Sequence, residues 1–395
     1  MDGGLPQLVR GNLTPPAPLP WEGRGGTHRP TGSRHASAST ASQEVSQREH
    51  PSPSGGGAGG GVDHANPRSS QRILFAALAL LLALVPAAAQ PLRQPPEIER
   101  YRNYLLTDPA PEPKGGAVRV TWLGTATLLF DDGETQLMTD GFLTRPSLRK
   151  VLGTIETEPK VVDAALAKVG VRKLAALFVA HSHYDHALDC AYVARKTGAV
   201  LHGSSSTINV GRGGDVPAQQ MVEFDHGGVY RFGRFTVNVL NSRHSPVIRF
   251  LNDDLGQKIE RPLKQPANFK DFKEGGAFDF LIRHGPNAIL VNAGGSYLEG
   301  ARDGLKADVV FLTTAVLSAQ PGAFQAAFYK ETIGAVRPKL VVPIHWDNFM
   351  KPLTEQLEPQ FDPADGWDPM IRRCRADGIR FGVMQGYGRV TLFGR

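Results

Sequence analysis

From residue 116 to the C-terminus, apolar positions fall into short runs punctuated by Gly, Pro and Asp, with no single long period. Residues 116–123 alternate and stop at Gly124. Residues 127–130 run into Asp131-Asp132-Gly133, an Asp-Gly hairpin signal, ahead of 136–140, which predicts an opening meander of three strands. Val161, Val162, Ala165, Leu166 and Val169 recur at helical spacing and predict an amphipathic helix over 160–169. The run 174–180 reads as a buried strand, with helical spacing resuming over 187–193. Beyond it, strands are predicted at 199–202, 221–224, 229–232, 235–240, 276–282, 288–291, 308–312 and 340–344. A serine-capped helix is predicted from Ser205, another helix at 324–332, and the tail closes with a helix within 362–377 and strands at 381–383 and 389–393. Strands alternating with helices in this way predict an α/β layered fold.

Residues 1–71 lack this patterning. Gly, Pro, Ser and Arg crowd the segment, which includes Pro15-Pro16-Ala17-Pro18 and the glycine-rich run 55–61. It cannot bury enough surface to offset its ordering entropy and is expected to be a disordered, low-complexity extension. From Arg72 a basic flank, a short apolar stretch and the ending Ala87-x-Ala89 make residues 72–89 a secretory signal peptide with cleavage after Ala89; a retained membrane anchor is the alternative. A leader placed this far in suggests a natural start near Val62. Residues 90–115 are then a linker, residues 116–395 the folded domain, and the protein is expected to be exported, to the periplasm.

Charge and cysteine content alter the picture little. The 395 residues carry a formal charge of +6 and are 41% hydrophobic, enough for a full core. After residue 90 there are 37 Lys and Arg against 33 Asp and Glu, and no basic cluster of the kind that tracks nucleic acid. Cys190 and Cys374 suit an exported protein, with one bridge or two buried thiols as the alternatives.

The chemistry concentrates at His181-Ser182-His183-Tyr184-Asp185-His186, directly after the apolar run 174–180. Side chains two apart in extended backbone share a face, so His181 and His183 can grip one ion together. A helix starting near Asp185 would turn that carboxylate and His186 toward a second. Imidazole nitrogens with a carboxylate oxygen suit zinc best, and manganese or iron would also accept them. Two more histidines, His244 and His345, follow strand signals; His202, which ends the short strand 199–202, is expected to be structural, His226 a turn residue, and His284 is left over.

His181-x-His183-x-Asp185-His186 resembles the signature of the metallo-β-lactamase-fold hydrolases. The flanking residues resemble the branch with the ascorbate-6-phosphate lactonase-like and N-acylphosphatidylethanolamine phospholipase D-like enzymes. The resemblance runs from about Val118 to the C-terminus and implies a four-layer αββα sandwich. It implies that His181, His183 and His244 hold a first ion and Asp185, His186 and His345 a second. Asp140, at the end of the meander, is expected beneath the site as a partner for a ligand histidine, and Asp189 is expected to orient a ligand imidazole. The chain departs from the pattern after strand 288–291, where most dinuclear members carry an aspartate that bridges both ions and this chain has Asn292-Ala293. A second site without that charge is expected to be the weaker, with a mononuclear resting state and Asn292 as a neighbouring group.

The implied function is a hydrolase whose metal-activated water attacks an ester, lactone or phosphodiester-type bond, with Asp185 as general base when one ion is bound. A non-catalytic metal-binding protein and a single-iron redox enzyme are the alternatives. Residues 247–275 mix apolar and basic side chains in a connection without regular patterning. A small-molecule or lipid-like substrate is expected there, with transient membrane contact and without nucleic acid.

Overall fold

The computed structural model describes residues 98–106, 112–224, 227–246 and 254–394. The extension 1–71, the leader 72–89, much of the linker and His226 lie outside these residues. Among the described residues no helix is long and apolar enough to cross a membrane.

Two seven-stranded sheets make up the middle of the molecule. The first holds β1 (Val118–Trp122), β2 (Leu128–Asp131), β3 (Gln136–Thr139), β4 (Leu174–Phe178), β5 (Val200–Gly203) and β6 (Met221–Glu223), with β14 (Arg389–Leu392) beside β1. The second holds β7 (Val229–Phe232), β8 (Phe235–Asn241), β9 (Phe278–His284), β10 (Asn287–Asn292), β11 (Val309–Thr313), β12 (Leu340–Ile344) and β13 (Arg380–Phe381). Each begins as an antiparallel meander and then turns parallel: β1-β2-β3 then β4-β5-β6, and β7-β8-β9-β10 then β11-β12-β13. The chain thus uses one sheet, crosses at the edge strands β6 and β7, and returns only at its end.

Pleat alternation decides which side chains meet. Val118, Val120, Trp122, Leu128, Phe130, Leu137, Ala176 and Phe178 of the first sheet join Val237, Val239, Phe280 and Val291 of the second in one core, as period-two alternation requires. Leu129, Met138, Leu174 and Leu177 face the other way. They meet α2 (Pro159–Lys168) and α4 (Cys190–Thr197) through Val162, Ala165, Leu166 and Val193. α1 (Leu148–Val151), α3 (Tyr184–Ala187) and α5 (Ser205–Gly213) are the other described α-helices of the first half. On the second sheet, Phe328 of α6 (Gly322–Tyr329) and Trp367 of α7 (Ala364–Ala376) belong to the core that β11 and β12 line. The strands of these parallel stretches, β11 and β12, are buried at every position, because both faces are covered. The result is the expected αββα sandwich.

Two differences from expectation are local. The helix expected at 324–332 ends at Tyr329, and a π-helical turn continues it over Lys330–Gly334. The helical pattern after His186 is broken into α3 and α4, with Leu188 and Asp189 between them. Of the two alternatives for the cysteines the structure has the buried thiols: Cys190 and Cys374 are free, Cys190 in the cluster between the first sheet and its helices and Cys374 in the cluster that includes the inter-sheet core.

Candidate metal centre

Four strand ends converge on one edge of the sandwich, as ligand positions in layered α/β folds do. β4 runs on through buried Val179 and Ala180 into His181. His183 is still extended, with φ −60° and ψ 153°, at the position just before α3, which carries Asp185 and His186, and makes no capping bond with its side chain. His244 follows β8 and pairs as an isolated bridge with Gly295, beyond the end of β10. His345 follows β12 directly.

The ligand atoms form two groups, His181 with His183 and His244, and Asp185 with His186 and His345, each within 4.8 Å. His183 Nδ1 faces His244 Nε2 at 3.2 Å. His345 Nε2 lies 3.2 Å from His186 Nε2 and 3.3 Å from Asp185 Oδ2. Ligand nitrogens around one tetrahedral zinc are separated by about 3.3 Å, given Zn–N of about 2.05 Å. The groups adjoin through the rings of His181 and His186, whose centroids are 3.8 Å apart.

Hydrogen bonds on the outward faces set which nitrogen points inward. His186 Nδ1–H donates to Asp140 Oδ2 at 2.7 Å, and Asp140 Oδ1 accepts from Ala180 N–H at 2.8 Å. His244 Nδ1–H donates to the Ser245 carbonyl at 3.0 Å. Both ring nitrogens of His181, and Nδ1 of His345, are buried without a hydrogen-bond partner. An orphaned buried imidazole is costly in a protein interior. Burial first, then the neighbouring imidazoles beginning with His186, push the His181 pKa well below its ordinary range. Burial and His183 bring that of His244 down to about 3. Both rings are therefore neutral, the form that ligates. Burial disfavours ionised Asp185, but the charge of His186 and the bond and charge of His345 outweigh it and hold its carboxyl below the usual range. This donor set fits one or two divalent cations.

The backbone around His345 is strained. His345, Thr125 and Arg145 have φ of 54°, 43° and 51°, a region that costs a residue with a side chain about 1–3 kcal/mol. Asp347 ties them together. Its Oδ1 accepts from Thr125 N–H at 2.9 Å, its Oδ2 meets Arg145 Nη1 at 2.6 Å with both side chains fully buried, and His345 N–H donates to the Thr125 carbonyl at 2.9 Å. Gly124, at φ +85°, is what lets this pair approach: a Cβ there would lie 2.1 Å from Arg145 Nη1. Neither Arg145 nor Asp347 stood out in the sequence. Asp347 two residues past a strand-end histidine was the available signal.

Two expected neighbours act elsewhere. Asp189 orients no imidazole, because its carboxylate is taken by Leu143 N–H, Thr144 N–H and the Thr144 hydroxyl at 2.8, 2.7 and 2.6 Å. It anchors the loop after β3 to the start of α4. Asn292 turns away from the ligands: its amide donates to both oxygens of Asp279 and to the Ser296 carbonyl. Alternation along β10 aims the next residue, Ala293, at the cavity instead. Of the remaining histidines, buried His202 stacks on Phe178 at 4.6 Å, and His284 pairs with Asp132 at 2.9 Å.

Both ligand groups line a cavity of about 530 Å³. Its walls are largely apolar, with Leu148 and Val151 from α1, Phe269 and Phe272 from the connection before β9, and Phe349 and Phe361 after β12; Lys270 and Lys273 also line it.

A family model described as the metallo-beta-lactamase superfamily matches residues 120–298. The chain has the metallo-β-lactamase fold. Among curated relatives, a protein named UPF0173 metal-dependent hydrolase from Chloroflexus aurantiacus is 33% identical over 107 residues, spanning 27% of this chain and 44% of its own length. Another of that name from Cupriavidus necator is 26% identical over 289 residues, spanning 65% of this chain and 92% of its own. Among solved structures, the metallo hydrolase Igni18 from Ignicoccus hospitalis aligns at 16% identity and a TM-score of 0.44, over 71% of this chain and all of that one. The metallo-β-lactamase fold accounts for the convergence of ligands from β4, β8 and β12 on one sandwich edge.

Proposed function

We propose that this chain hydrolyses an ester, lactone or phosphodiester-type bond in a small substrate with an apolar substituent, using zinc held first by His181, His183 and His244. The observation that carries the reading is the pair of buried ligand groups lining one apolar-walled cavity, with His181 orphaned on both ring nitrogens. Asp185, His186 and His345 form the second, weaker position. When bound, the ion supplies a Lewis acid and lowers the pKa of a coordinated water so that a nucleophile exists near neutral pH. The protein's own residues do the rest. With only the first position filled, Asp185, held below the usual carboxylate range by its imidazole neighbours, is free to accept the water's proton. The walls from Leu148 to Phe361 exclude solvent and bind the substituent, a division typical of small-molecule sites.

The test uses the full chain purified without added metal. It is expected to retain at least one zinc per chain and to turn over a p-nitrophenyl ester of medium chain length, an activated lactone or bis(p-nitrophenyl) phosphate, with activity abolished by a chelator and restored by Zn²⁺. Bound zinc without turnover on any of these would leave a binding protein. Absence of zinc, manganese and iron from the purified chain, with none taken up on addition, would overturn the reading.

A further inference from the structure

Asp254 belongs to the connection between β8 and β9, in a stretch whose sequence gave it no role. In the structure it is 7% exposed and lines the cavity. Its Oδ2 and Oδ1 lie 3.2 and 3.4 Å from His183 Nε2, on the opposite side of the ring from Nδ1, which faces His244. Burial disfavours its ionised form, yet the bond and charge of His183, a backbone N–H and the charge of Lys273 together outweigh this and lower its pKa.

The turn that follows Asp254 is tied to the ligand segment itself. Ser182, between the two ligand histidines, donates its N–H to the Glu274 carbonyl at 2.8 Å and its hydroxyl to the Lys273 carbonyl at 2.6 Å. The Glu274 carboxylate in turn accepts from Gly256 N–H, two residues from Asp254, and Gly275 N–H donates to the Gln257 carbonyl at 2.9 Å. The fit is close: a Cβ on Gly275, at φ +71°, would lie 2.5 Å from Ser182 Oγ.

We propose that Asp254 is the positioning residue of the first ligand group, a role that rests on the metal-site reading above. It fixes His183 with the proton on Nε2 and the lone pair of Nδ1 turned to the ion. It also supplies negative charge to a group made of three neutral imidazoles, beside a position where Ala293 offers none. The second group has an equivalent in Asp140, bonded to His186. Each ligand group is therefore backed by one carboxylate, of which one comes from the meander and the other from a connection that also carries Phe269, Phe272 and Lys273 of the cavity wall.

Loss of a carboxylate behind a ligand imidazole weakens metal affinity by about 10- to 100-fold. In the full chain, Asp254→Ala is expected to weaken the first Zn²⁺ by that factor in competition with a chelating dye, and to alter the visible spectrum of the Co²⁺ form. Asp254→Asn keeps an acceptor for the imidazole N–H but not the charge, and is expected to fall between Asp254→Ala and the parent. In ion-free protein, imidazole ¹⁵N shifts are expected to place the His183 proton on Nε2 in the parent and to show mixed tautomers in Asp254→Ala. Parent-like affinity for the first Zn²⁺ in both variants would overturn the proposal while leaving the metal site standing. A parent chain that takes up no Zn²⁺ would overturn both.

Discussion

The two ligand groups lie side by side, yet they are built by different means. The first comes from backbone of ordinary φ: His181 and His183 lie three and five residues beyond the end of β4, and His244 follows β8. The second depends on irregular backbone. Asp185 and His186 stand on a single helical turn, and His345 occupies the left-handed region under the restraint of a buried ion pair. The second group contains a carboxylate among its ligands, the first only imidazoles. Where a bridging acid would join them there is Ala293. A site that a strand produces for little cost survives perturbation better than one that needs strain held in place, and two cations without a shared anion repel one another.

The largest effect expected from this asymmetry is on turnover. His181→Ala removes the ligand that lies next to both groups and is expected to lower kcat/KM about a thousandfold or more, the several kcal/mol that a Lewis acid contributes. His345→Ala is expected to leave the first zinc bound and to reduce turnover by a smaller factor. Metal content and kcat/KM of the two variants, measured together, check this. Equal loss of metal in both would mean that the groups bind as one unit and would break the comparison.

The next effect is on stability. Arg145→Ala leaves Asp347 charged, fully buried and without its 2.6 Å partner. Breaking a buried pair in this way costs about 3–5 kcal/mol. It would also release the turn that holds His345, so the midpoint of denaturant unfolding should fall and the second ion should bind more weakly while the first is retained. A stability change under about 1 kcal/mol would show that the pair contributes no more than a surface one and that the strain at His345 has another source.

Much of this architecture was legible from the chain because its carriers are local. Alternation marked β1, short apolar runs between turn residues marked β2 to β4, and the spacing of His181, His183, Asp185 and His186 is itself a backbone geometry. Asp140 was implied by the resemblance, since an acid at a strand end is by itself equally an ordinary turn residue. What stayed hidden acts across long separations or against local preference. Asp254 lies 71 residues from His183 in a connection with no periodicity, and Arg145 lies 202 residues before Asp347. Asp189 misled because an acid one turn beyond ligands looks like a supporting group. In the fold a break between α3 and α4 turns it toward the backbone of Leu143 and Thr144. At Asn292-Ala293 the sequence left two candidates for one position, and only the pleat of β10 separates them. The more polar residue proves to be the one that faces Asp279, itself paired with Arg302, and not the ligands.

That last point supplies the smallest and sharpest test. If the weakness of the second position comes from missing charge, then restoring charge at the residue that faces the cavity should correct it, and restoring it one residue away should not. Ala293→Asp places a carboxylate on the Cβ that β10 aims into the cavity and is expected to tighten the second Zn²⁺ about tenfold, or 1.4 kcal/mol, with the first little changed. Asn292→Asp puts its charge beside Asp279, already in a buried ion pair with Arg302. Like charges in that setting repel, so this variant is expected to lose stability without gaining metal. Calorimetric titration of both with Zn²⁺ decides between them. Tighter binding in Asn292→Asp, or none in Ala293→Asp, would mean that geometry and not charge limits the second position, and the contrast between the two groups would then rest on the strained turn at His345 alone.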